Sequence, residues 1–135
     1  MTFLSRAVTV TALTVAMAGP ALAANASGND WKTMATSAGG KVQACKVATT
    51  ATGPWKVRLR VDATHATTRV QGSGYVMRGS KTIDAWKSGW VTKGHVSAIG
   101  TVKLPRGNDY SLSAGIGTAI MGDGGSFVAS QIRGC

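Results

Sequence analysis

The residues of this chain that could do chemistry are few and far apart. His65 and His95 could form an acid–base pair for phosphodiester transfer, with an Arg or Lys stabilising the developing charge. Each sits in a turn-like stretch, Asp62-Ala63-Thr64-His65 and Lys93-Gly94-His95, and reads as a solvated turn residue. The chain has no Glu, which removes a common general base and a strong helix former together. Gly122-Asp123-Gly124-Gly125-Ser126 holds the ingredients of a serine-nucleophile motif in the wrong order, since the serine must directly follow the aspartate. It reads as a Gly-rich hairpin. There is no nucleophile elbow and no phosphate loop after a strand. Cys45, Cys135 and the two histidines show no metal-ligand spacing. The sequence therefore predicts no catalytic residues, no metal, no cofactor and no enzyme.

The cysteines have another use. Cys45 and Cys135 are the only two, 90 residues apart, and the N-terminus predicts export. Arg6 precedes an apolar run over 7–18, Gly19-Pro20 breaks it, and Ala21-Leu22-Ala23 offers the small residues a signal peptidase requires. The run is too short to span a bilayer, which takes about 20 residues. Residues 1–23 thus read as a signal peptide, the product as secreted and extracellular without a membrane anchor, and the cysteines as one disulfide.

Residues 24–40 are small and polar, with Trp31 and Met34 the only large apolar groups. They read as a flexible N-terminal arm, with Trp31 an aromatic anchor for a partner's groove. Asn25-Ala26-Ser27 is formally a glycosylation sequon but lies beside the cleavage site.

From Lys41 the pattern has period two. Trp55, Val57, Leu59 and Val61 alternate with Lys56, Arg58, Arg60 and Asp62, the clearest strand in the chain. Weaker alternation covers 42–50, 67–77, 96–104, 110–116 and 127–133. Turn signals at Gly53-Pro54, Gly79-Ser80, Lys87-Ser88-Gly89, Pro105-Arg106-Gly107 and 122–125 separate the runs. Residues 41–135 therefore predict an all-β domain, a small antiparallel β-sandwich (Ig-like) or barrel closed by one disulfide, with Trp55 in its core.

Fifteen Lys and Arg against five Asp predict an acidic partner. The best charged surface is the outward row Lys56, Arg58 and Arg60, joined by Lys46 and Arg69 if neighbouring strands bring them near. Aromatic interleaving is not expected on that face, so nucleic acid is not an expected partner. Trp86 and Trp90 flank a predicted turn beside Lys87; exposed and coplanar, they would suit cell-wall polysaccharide. Leu104-Pro105-Arg106-Gly107 is the one loop that could serve a protease inhibitor.

Signal peptide, arm, two-cysteine β-domain and strong basic charge together resemble the layout of the small secreted adaptor subunit of actinobacterial umbrella toxin particles. That resemblance implies a bridge between a repeat-bearing stalk and a lectin-like subunit, with the arm as plug and the cationic face as dock. The expected function is a secreted, non-catalytic binding or adaptor module. It would hold an acidic protein on its sheet face and a second protein on its arm. A cell-wall-binding module is the alternative, with a protease inhibitor or small nuclease behind it.

Overall fold

The computed structural model describes residues 30–135. The leader, the sequon and residues 24–29 of the expected arm lie outside them. The described chain runs β1 (Lys32–Ser37), β2 (Gly40–Ala48), β3 (Trp55–Asp62), β4 (Val70–Arg78), β5 (Lys81–Val91), β6 (Gly100–Leu104), β7 (Tyr110–Gly117), β8 (Gly122–Phe127) and a 3-10 turn, Ala129–Gln131. The strands form two antiparallel four-stranded sheets, β1-β2-β3-β6 and β5-β4-β7-β8. The expected β-sandwich is the fold. Among the described residues no helix is long and apolar enough to cross a membrane.

Alternation builds the core. Val57, Leu59 and Val61 of β3 point inward and are fully buried, as are Val42 and Ala44 of β2, Val70 and Val76 of β4, and Leu112 of β7. Opposite them, β4 carries glycine at two inward positions. A Cβ on Gly72 would lie 2.4 Å from the Val61 side chain, and one on Gly74 2.8 Å from Leu59, so glycine is what lets the sheets close. Along one side β5 meets β6. There the Trp86 ring lies where a Cβ on Gly100 would be, 2.0 Å away. Nearby, an Asp84 carboxylate oxygen accepts the Lys103 backbone N–H at 2.9 Å, tying the edge of one sheet to the other.

Cys45 and Cys135 are joined as expected. The bridge does not run between the sheets, as it does in antibody domains. Cys45 has the outward phase of β2, opposite Arg58, yet is fully buried. The C-terminal tail buries it: the Lys46 N–H donates to Arg133 O at 2.8 Å, and the Cys135 N–H donates to Lys46 O at 2.9 Å. This tail extends the sheet where β1 stops, since β1 pairs with β2 only as far as Lys32 opposite Ala44.

Several boundaries move. The expected arm 24–40 is integral to the domain from Trp31 onward. Residues 32–37 are β1, and Trp31 and Met34 are 5% and 7% exposed. Two local features make a strand of so polar a stretch. Ala38 and Gly39 both have positive φ, 48° and 78°, giving the two-residue turn that suits a hairpin's twist. A bulge between Thr33 and Ala35 then lets Met34 and Ala35 both turn inward. Lys87-Ser88-Gly89 is no turn but the middle of β5, which absorbs Gly89 at a φ of 67° and pairs irregularly with β4 between Gln71 and Ser73. The Gly-rich 122–126 is most of β8 rather than a hairpin loop, while 127–133 is largely a turn and tail. Trp55 is half-buried at the sandwich end instead of central in the core.

Cys45→Ser should lower the unfolding free energy by about 4 kcal/mol, the entropy of opening a loop this long. Unreduced protein should show no alkylatable thiol by mass spectrometry. Trp31→Ala should cost about 3 kcal/mol in chemical denaturation, because its ring is buried; an unchanged midpoint would return Trp31 to an arm.

Candidate functional site

The outward row of β3 lies centrally in its sheet, between β2 and β6. Lys56 stands opposite Lys103 of β6 and beside Arg58, which faces Thr101. Like charges directly opposite in an antiparallel pair repel, so this end of the face opposes its own folding unless a counter-charge covers it. Lys56, Arg58 and Lys103 make no side-chain hydrogen bond, ion pair or ring contact among the described residues. Asp84 lines the same hollow as Lys56 and Lys103 and accepts the backbone N–H groups of Ala85 and Lys103, but makes no ion pair with either lysine.

Arg60 behaves differently. Its Nε–H donates to the buried Gln43 Oε1 at 2.9 Å, and its guanidinium sits 4.4 Å from the centre of the Trp31 ring. Burial lowers its pKa, against which the charge of Asp62 acts. Trp31 therefore places an aromatic on the cationic face after all, buried beneath an arginine. Burial pulls the Asp62 carboxyl up, but hydrogen bonds from the Thr64 side chain and N–H and the charges of Arg60 and Lys41 outweigh it and hold it below its ordinary value.

Other cations are spent in the same way. Lys46 and Arg106 lie 4.6 and 4.1 Å from the centre of the Trp55 ring. Lys46 also donates to Ala129 O, and its pKa is lowered by burial and then by Arg106. Arg106 donates to Gly53 O and Thr50 O, so the one loop suited to inhibiting a protease has its arginine engaged in holding the β2–β3 connection. Arg69 stacks 4.4 Å from the centre of Trp90, beside the other sheet. Neither Lys46 nor Arg69 joins the row of Lys56, Arg58 and Arg60.

The two expected binding tryptophans do not form a platform. The irregularity in β5 separates them by face: Trp86 pairs with Gly74 and is packed against the core, while Trp90 pairs with Gln71 and is 42% exposed. His65 and His95 are exposed on neighbouring turns, which are linked by the Ala63 N–H donating to His95 O at 2.8 Å. Sequence reasoning missed Lys103 and Gln43. The alternation in 100–104 puts Lys103 outward, and the β3–β6 pairing that sets it against Lys56 is a long-range choice.

No protein-family model, curated protein or solved structure matches this chain.

Arg58→Glu should leave the denaturation midpoint nearly unchanged, whereas Arg60→Ala should cost about 1–2 kcal/mol by stranding the buried Gln43 amide. Asp62→Asn should destabilise at neutral pH. Because the folded carboxyl titrates lower than the unfolded one, that contribution is present above about pH 4 and fades as pH falls through the folded value. A difference from the parent that persists undiminished at low pH would assign it to something other than the charge.

Proposed function

We propose that this chain is a secreted, non-catalytic binding module, an adaptor that docks an acidic protein on the outer face of β3 and β6 in an extracellular assembly, an antibacterial toxin particle being the kind its layout resembles. The supporting observation is the register pair Lys56–Lys103 with Arg58 adjacent. Among the described residues these three cations on two paired strands have no bonded partner, whereas Lys46, Arg60, Arg69 and Arg106 are stacked on rings, Lys46 and Arg106 also bonding carbonyls. An acidic surface laid on them would relieve the repulsion and supply charge complementarity, which acts chiefly on association rate and specificity. The disulfide suits an oxidising compartment, and the apolar leader supplies the route there. In this reading Trp31 and Met34 serve the fold, so the second contact of an adaptor falls elsewhere.

Affinity capture from culture supernatant with the mature protein, at low and high salt, tests this. The expected result is an acidic protein retained at low ionic strength and lost with Lys56→Glu/Arg58→Glu at unchanged melting temperature. Retention that ignores both salt and the double variant would remove this face from the function.

A further inference from the structure

The outer face of the second sheet carries a trough of about 570 Å³, within the range of small-ligand sites. Its floor is unusual. In register across β4, β7 and β8 run Gln71, Gly117 and Gly122, then Ser73, Gly115 and Gly124, so the outward positions of the last two strands are bare for two consecutive rows. Glycine weakens strands and usually marks close approach of another group. At Gly117 and Gly124 a backbone oxygen lies 2.9 Å from where a Cβ would stand, and the fold itself excludes a side chain. Gly115 is different: a Cβ there would meet only Asp123 O at 3.4 Å and Ser73 Oγ at 3.6 Å, ordinary contacts, and its φ is not in the left-handed region. The fold leaves room for a side chain at 115, yet the centre of the floor is bare.

The walls supply what the floor lacks. The side chains of Gln71, Ser73, Tyr75 and Lys87 line the trough, and none of them makes a hydrogen bond or ion pair within the described residues. One amide, two hydroxyls and one ammonium thus face a shallow hollow beside an aromatic ring, with the Asp123 backbone carbonyl at its floor. We infer that this trough is a saccharide-binding site for a neutral oligosaccharide, with a sugar ring seated over Gly115 and its hydroxyls bonded by Gln71, Ser73 and Lys87. A ligand rich in donors and acceptors fits this mixed set. An acyl chain would find backbone and glycine where it needs apolar side chains. A peptide strand would find the mid-sheet backbone groups already engaged in the β-ladders. A single ammonium, that of Lys87, gives the trough too little positive charge for an anionic polymer.

The site is separate from the face of β3 and β6, so the two readings fail independently. The test is titration of the isotope-labelled protein, followed by amide chemical shifts, with chitopentaose, cellopentaose, laminaripentaose and mannopentaose up to about 10 mM, the weak end of useful affinity. The expected result is saturable binding of at least one, with shifts centred on Gly115, Gly117 and Gly124. Gly115→Val should keep the melting temperature and reduce that affinity at least about tenfold. Gln71→Ala, an exposed trim that cannot threaten the fold, should weaken it several-fold, and Lys56→Glu/Arg58→Glu should leave it unchanged. Failure of all four sugars to bind, equal affinity in Gly115→Val, or shifts in the trough caused instead by an unrelated extended peptide would overturn the inference.

Discussion

The tail drawn across β2 by Cys135 governs much else in this molecule. β1 reaches only to Ala44, which leaves the backbone of Cys45 and Lys46 open at a sheet edge, the kind of edge that invites pairing with other chains. Residues 133–135 close it with two backbone hydrogen bonds and the disulfide makes the closure permanent. The same arrangement buries Cys45 on a face that would otherwise be solvent. Gln43 is the next outward residue on β2, and it too is buried, under Arg60 and beside the Trp31 stack. A second, smaller core therefore exists outside the sandwich, built of a disulfide, an amide, a guanidinium and an indole.

The Arg60–Trp31 stack of this outer core is one of several by which this basic chain without Glu places its cations. Stacking a cation on an aromatic face is worth about 0.5–1 kcal/mol when exposed and more when desolvated, and it needs no carboxylate. Trp31, Trp55 and Trp90 each carry at least one such cation. Trp86 is the exception because it has structural work elsewhere, filling the space that Gly100 leaves between β5 and β6. Of the three tryptophans the sequence offered to a partner, Trp31 and Trp90 instead accommodate positive charge and Trp86 packs against the core.

The alternation that made β3 legible in the sequence is the physics of a strand with one buried face. The all-β class followed from similarly local signals, and the cysteine pairing from there being two cysteines in a chain that reads as exported. The arm was misread because its ordering depends on a non-local event. Trp31 is buried by Arg60 of β3, and β1 is held by a turn whose first residue, Ala38, gives no hint of a positive φ. β8 was hidden for a related reason. Glycine scores as a breaker, yet 122–127 forms a strand because β7 offers a ladder to pair with. Among the expected site residues, Lys56 and Arg58 kept their outward placement, Arg60 became structural, and Trp86 and Trp90 were parted by an irregularity in pairing that no periodicity reveals.

The two sheet faces differ in a way that bears on recognition. On the first, side chains are long, cationic and crowded, and among the described residues Lys56, Arg58 and Lys103 make no bonded contact. On the second, side chains are short or missing over two rows, and the groups without partners surround a hollow. A crowded charged face suits a broad complementary surface, where encounter is steered by charge and little shape is needed. A bare floor with convergent polar walls suits a small rigid ligand, whose orientation is set by a few hydrogen bonds. The two proposed sites would not block one another, because the whole thickness of the sandwich lies between the two outer faces.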